Sequence, residues 1–209
     1  MKRIQSMAHQ PDQPADHYAR AYASRLHPLH LFHRRRLDRI LSLIPGRVRV
    51  LDAGCDAGVL AGLLLDRGCQ VVGVDVRSSS IELARQRCPT AQFHVRDIRS
   101  LRLDEHFDVV VCTDVLEHLV EPERKRAITR LLAHLEPGGL MVVSFPSRLY
   151  FAVEPLWKQV RRALYRRTTG WDDDEVHLPI DDLPLPNCDI ITRGTCCLGL
   201  VEWMVAKAR

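Results

Sequence analysis

Between Arg47 and Pro146 the chain switches repeatedly between strand-like and helix-like patterning, and that alternation constrains its fold more than any other feature. The runs "VRVLDA", "CQVVGVD", "AQFHV", "FDVVVCT" and "LMVVSF" read as strands. Between them, "GVLAGLLLDRG", "SSSIELARQR" and "EPERKRAITRLLAHLEPGG" read as helices. Gly68 closes the first helix, and serines offer N-caps to the second. The third has an acidic start and a double-glycine stop. Strands separated by helices imply a parallel sheet with right-handed crossovers. A strand as uniformly apolar as "VVVC" is expected to be covered on both faces. The expected fold class is therefore α/β, a doubly wound and mostly parallel sheet.

In such a sheet ligands bind beyond the carboxyl ends of the strands. "VLDAGCDAG", residues 50–58, lies at such an end: an apolar strand stops at Asp52, then Ala53, Gly54, Cys55, Asp56, Ala57 and Gly58 lead into a helix. Gly and Ala bury little area, so this loop is expected to let something come close to its backbone. A dinucleotide would want a GxGxxG turn, but Asp56 holds the middle glycine position, and its carboxylate would repel a pyrophosphate. A cationic ligand without phosphates would tolerate it, and Asp reaches left-handed backbone conformations at some cost. S-adenosylmethionine, with a sulfonium, an ammonium and one carboxylate, is such a ligand. Asp75 ends the second strand about 20 residues later, where a carboxylate can accept both hydroxyls of a ribose. Asp97 follows the third strand and could accept from an adenine amino group. A lone acid at a strand end is commonly a turn or cap residue, but three at successive strand ends make that account weaker.

Those stretches, with "VVGVD", "VRDI", "FDVVVCTDVLEHL" and "LLAHLEPGGLMVVS", resemble the successive motifs of class I S-adenosylmethionine-dependent methyltransferases over residues 48–146. "VLEHL" (115–119) and "LHPLHLFHRRRLDRI" (26–40) resemble the ubiquinone-biosynthesis O-methyltransferase branch. The resemblance implies a Rossmann-like sheet with an N-terminal helical extension, S-adenosyl-L-methionine as cofactor and methyl transfer as activity. Its motifs place the cofactor against Asp52, Ala53, Gly54, Cys55 and Gly58, with Asp75 on the ribose and Val76 against the adenine. Asp97 and Ile98 would fix the adenine edge, Thr113 would lie beneath the methionine end, and Arg34 would pair with the cofactor carboxylate. For Arg35 and Arg36 a solvated helix face is an equal alternative. The chain departs from the pattern at Asp56 and in its C-terminal third, where the helix before the sixth strand shrinks to about "IDDLPLPN".

On this reading residues 1–14 are disordered and 15–209 form one domain. Within it, 15–46 are N-terminal helices, 47–146 the cofactor-binding core, 147–187 a substrate lid region and 188–209 the C-terminal strands. The 209 residues, 46% of them hydrophobic, suffice for one such core. The net charge of +4 is too mild to imply nucleic acid. No apolar run approaches the roughly 18 residues needed to cross a bilayer, and the N-terminus lacks a signal peptide's apolar core. The cysteines, odd in number, lie mostly in apolar segments, and adjacent Cys196 and Cys197 lack metal-ligand spacing. Reduced cysteines in a cytoplasmic protein are expected, with no metal site assigned.

The acceptor is expected to be a small molecule, lipid-like or bearing a phenolic hydroxyl. A general base for a hydroxyl would best be a histidine. His177, in "DDDEVHLPI", is preferred over His118, which could equally be a structural hydrogen-bonder. The acidic run 172–175 reads as a solvated loop, with a divalent cation as the alternative. Nucleic-acid methylation is disfavoured: "CTDVLEH" stands where a base-gripping D/N-P-P-aromatic stretch would be, and Cys112 reads as core. A protein methyltransferase, or a non-catalytic cofactor-binding module serving a partner, remains as an alternative. In residues 150–167 a helix with an apolar stripe and a basic flank reads as a lid, or as a peripheral membrane contact. Oligomeric state is not legible.

Overall fold

A computed structural model describes Ala19, residues 22–24, residues 30–153 and residues 183–209. Within them α1 (His30–Ser42) precedes β1 (Arg49–Ala53), α2 (Val59–Asp66), β2 (Gln70–Asp75), α3 (Ser78–Arg87) and β3 (Gln92–Val95). Then follow β4 (Phe107–Thr113), α4 (Glu121–Leu132), β5 (Leu135–Pro146), β6 (Cys188–Cys196) and β7 (Val201–Ala208). Single 3-10 turns at Ile98–Ser100 and Leu116–His118 follow β3 and β4.

The seven strands form one sheet in the order β3-β2-β1-β4-β5-β7-β6. Neighbours pair in parallel from β3 to β5, and β7 is antiparallel to both β5 and β6. This is the mostly parallel α/β sheet that the alternation of patterns implied. Its central strands are apolar on both sides because both sides are covered. Val109 and Val111 pack with α1, α2 and α3 through Ile40, Leu64 and Ile81. Val110 and Cys112 pack with α4 and the turns through Leu131, Ile128 and Leu116. The order of the strands reverses direction between β1 and β4, and that crevice is where the loops after β1, β2 and β4 converge.

Two local expectations are corrected. The helix read over 121–139 ends at Leu132, and β5 begins at Leu135 rather than at 140. Leu135 pairs with Phe107, and the register shifts before Val109, so the double glycine is a bulge inside a strand. Gly138 takes φ 79, and a Cβ at Gly139 would come within 3.0 Å of the Asp108 carbonyl oxygen. His134 fixes the helix end: its Nδ1–H donates to the Arg130 carbonyl at 2.7 Å, and its Nε2 accepts from the Leu103 N–H at 2.9 Å. The second correction concerns α3. Arg77 occupies its N-cap and no side chain caps it, because buried Ser80 turns its hydroxyl to Asp56 instead.

Candidate functional site

The loop after β1 is built by hydrogen bonds from its own backbone. Gly54 and Cys55 both donate to the Val74 carbonyl at the end of β2, at 2.8 and 3.0 Å, and Gly58 donates to Cys55. The small residues there serve close packing within the chain. A Cβ on Gly54, at φ 87, would lie 2.2 Å from Val115 Cγ2, and one on Gly58 would lie 3.0 Å from the Ala84 Cβ. Ala53 and the Cys55 thiol face inward, and burial pushes that thiol far up.

Three acids meet at this crevice. Asp52 is 2% exposed, and among the described residues its Oδ2 has no hydrogen-bond partner. Burial, then the nearby Asp75 and Asp56 carboxylates, push its pKa up to about 7. Asp75 ends β2 and is engaged on both oxygens: Oδ2 accepts the Asp56 N–H at 3.0 Å, and Oδ1 accepts the Arg77 N–H at 2.9 Å. A carboxylate has about four acceptor sites, so these bonds orient Asp75 without saturating it.

Asp56 is not the bare carboxylate that the sequence suggested. It takes φ 45, and its Oδ1 accepts from Arg77 Nη2 at 2.7 Å and from Ser80 Oγ at 2.9 Å. Burial still raises its pKa, while Arg77 and Ser80 pull it back. The repulsion of an anionic ligand inferred for Asp56 is therefore offset by a guanidinium.

The third strand end follows the same pattern. Asp97 accepts the Arg99 N–H at 2.8 Å, and the Arg99 guanidinium grips both its oxygens at 2.6–3.0 Å. Burial opposes ionisation, but the Arg99 bonds outweigh it and hold the Asp97 carboxyl below its usual range. Arg99 also reaches Glu123 of α4 at 2.8 Å. Of the two apolar residues expected beside an adenine, Val76 is 38% exposed and open to a ligand. Ile98 is 6% exposed and packs in the core beneath the sheet.

After β4, Thr113 pairs with Ser144 and is partly exposed. The next residue, Asp114, takes φ 54, donates its N–H to the Ser144 carbonyl at 2.9 Å and forms an ion pair with Arg36 of α1. Arg34 lies exposed on that helix, whereas the Arg36 side chain is only 13% exposed. Arg34 and Arg35 are exposed, and of the two arginines for which a solvated face was the alternative, Arg36 instead turns to Asp114. His118 stands half-buried on the turn after β4, and the buried Cys112 thiol is pushed far up by burial, consistent with a core role. His177, the acidic run 172–175 and residues 154–167 of the segment expected to be a basic helix lie outside the described residues.

Sequence reasoning thus found the acids and missed two arginines that partner them, Arg77 and Arg99, and it missed Asp114 as the partner of Arg36. A signal for the first two was present, since Asp75-Val76-Arg77 and Asp97-Ile98-Arg99 repeat one Asp-x-Arg spacing at successive strand ends.

Residues 50–139 match the family model described as a methyltransferase domain. A ubiquinone biosynthesis O-methyltransferase of Coxiella burnetii is 34% identical over 136 residues, covering 62% of this chain and 57% of that protein. One of Bradyrhizobium diazoefficiens is 35% identical over 158 residues, covering 72% of this chain and 61% of that protein. The chain thus spans less than two thirds of the length of these curated relatives. Among solved structures, magnesium protoporphyrin IX methyltransferase from Synechocystis PCC 6803, crystallised with S-adenosylhomocysteine, superposes with a TM-score of 0.70. It is 20% identical, and the match covers 93% of this chain and 94% of that one, a likeness of fold.

Proposed function

We propose that this chain, whose residues 50–139 match a methyltransferase-domain model, binds S-adenosylmethionine at the β1–β2–β4 crevice and methylates a small-molecule acceptor. The observation that carries the reading is Asp52. A buried carboxylate whose second oxygen has no partner among the described residues, with two further carboxylates nearby, is costly unless a cationic donor completes it. The ammonium of this cofactor is such a donor, and a nicotinamide dinucleotide offers none at that place. The residues present fit the group in other respects. Asp75 is held by two N–H donors with acceptor capacity to spare for ribose hydroxyls, and Val76 offers exposed apolar surface beside it for a base.

Bound there, S-adenosylmethionine would supply an electrophilic methyl on sulfonium sulfur. The protein's task is then to align the acceptor and take its proton, and alignment alone can lower a barrier by about 7–11 kcal/mol. Gly54, pressed against Val115, and Asp56, tied to Arg77, fix the loop that would present the cofactor. Asp97, Thr113 and the basic α1 would complete the pocket. On α1, Arg36 stands ahead of Arg34 for the carboxylate-facing role, since Arg36 reaches the loop after β4. His177 and His118 stand as candidate bases for the acceptor proton.

The curated relatives are named for O-methyl transfer in ubiquinone biosynthesis, which supports a hydroxyl acceptor, and we take it to be the phenolic or lipid-like hydroxyl expected from the sequence. Titration calorimetry tests the reading directly. S-adenosylmethionine should bind, and Asp75→Ala should weaken it by about 1–3 kcal/mol through loss of a charged acceptor. Tight binding of NAD with no affinity for S-adenosylmethionine would overturn it. Radiolabel passing from the cofactor to a phenol with an isoprenoid tail would distinguish an enzyme from a cofactor-binding module.

A further inference from the structure

Away from the acids, the turn between β6 and β7 places two thiols together in an unusual setting. Cys196 ends β6 and Cys197 begins the turn, so the two thiols are adjacent in the chain, and Cys196 packs against the core cluster that holds Leu37 and Ile40 of α1. The turn is strained: Cys197, Leu198 and Gly199 take φ 54, 60 and 84 in succession. Both cysteines are partly exposed, whereas Cys55, Cys69, Cys88 and Cys112 are buried. Cys197 Sγ also lies 3.5 Å from the Phe32 carbonyl oxygen, to which its thiol donates. That contact ties the turn to α1.

The charges around the pair favour a thiolate at one of the two sulfurs. The hydrogen bond with Cys196 holds the Cys197 thiol below its usual range against the cost of burial, and Arg36 and Arg35 of α1 add to it. The same bond pushes Cys196 up, so that thiol keeps its proton. The arrangement is a nucleophile with a second thiol on the neighbouring residue.

We propose that Cys196 and Cys197 form a reversible oxidation site in which Cys197 reacts with a hydroperoxide and Cys196 resolves the product as a disulfide within the turn. The Cys197 thiolate attacks one peroxide oxygen, the O–O bond breaks, and the departing hydroxide or alkoxide takes a proton. Cys197 is then a sulfenic acid. Cys196 sulfur attacks it, the S–O bond breaks, and water leaves with the proton that Cys196 releases. Two electrons pass from the thiols to the peroxide, and a dithiol reductant returns them. Adjacent Cα atoms stand about 3.8 Å apart, less than the roughly 4.4–6.8 Å that an unstrained disulfide spans, so the product is readily reduced. The left-handed turn supplies a backbone already far from extended. Oxidation removes both the thiol donor to Phe32 and the negative charge facing Arg35 and Arg36, which loosens α1 from the turn.

The test uses hydrogen peroxide on the full chain, followed by trypsin and mass spectrometry. Cleavage after Arg193 and Lys207 gives one peptide holding both cysteines and no other, so the reaction is read within one molecule. That peptide should lose two hydrogens before the partly exposed Cys188 changes, and dithiothreitol should restore it. Cys196→Ser should leave the rate of peroxide consumption near that of the parent and accumulate a sulfenic acid trapped by dimedone at Cys197. Cys197→Ser should slow the reaction at this peptide by about tenfold or more. Amide hydrogen exchange across residues 30–42 should quicken in the oxidised protein. Oxidation of Cys188 at an equal rate, or full reactivity of Cys196 in Cys197→Ser, would overturn the proposal.

Discussion

Asp52 turns its surroundings into a measurable dependence on pH. Its pKa is about 7 in the folded protein against 3.8 as the ordinary value, because burial and the Asp75 and Asp56 carboxylates disfavour its charge. The folded state therefore binds more protons than the unfolded chain between these values. Stability from this group is fully present below about pH 4 and is lost as pH rises through about 7. Urea unfolding should show that decline in the ligand-free protein and a flatter profile in Asp52→Asn; parallel profiles would show that Asp52 does not titrate there. A cation bound beside it favours the ionised form, so cofactor uptake near neutral pH should release a proton, visible as a buffer-dependent heat. At this scale the acids were legible because a carboxylate at a strand end stands out against apolar neighbours. Their guanidinium partners were not. Arg77 and Arg99 look like ordinary surface charges until the fold turns them back onto Asp56 and Asp97. Arg36 meets Asp114 only once α1 docks.

Among the elements, period alone found the five strands and three helices between Arg47 and Pro146, because each is one repeat of a buried face. It failed where glycine had two meanings. Gly68, at φ 78, ends α2 as expected, but Gly138, also at positive φ, bends a strand whose pairing with Phe107 starts well before it. No local pattern separates those cases, since the partner strand decides. The same distinction gives a paired prediction. Gly54→Ala places a methyl against Val115 at a left-handed position, and should destabilise the protein by about 2–4 kcal/mol. Gly62→Ala, inside α2 with only the Cys88 Sγ at 3.4 Å, should stabilise it by about 0.5–1 kcal/mol. Thermal unfolding of the two variants side by side checks both signs.

For the whole molecule, the sheet order was implied only as a class. How α1 docks was not implied at all, because its ties are all long-range. Arg39 stacks over Trp203 of β7 at 4.1 Å, Arg36 meets Asp114, and Phe32 meets Cys197. Among the described residues no helix is long and apolar enough to cross a membrane. The stretch "YFAVEPLWKQVRRALYRR" at 150–167, most of which lies outside the described residues, still has the composition of an interfacial helix. Liposome flotation at low salt should find the chain with anionic vesicles and not with neutral ones, each surface arginine or lysine adding about 1 kcal/mol. Equal absence from both would leave the segment as a lid alone. One feature of the topology also bears on how the chain is made. β7, latest of the seven strands in the sequence, lies inside the sheet between β5 and β6. While the ribosome is still adding residues before Val201, β5 presents a bare hydrogen-bonding edge and β6 has no neighbour to join. The nascent chain must carry that sticky edge from the completion of β5 until β7 is made, and the stacking of Arg39 of α1 on Trp203 cannot form until the same strand arrives.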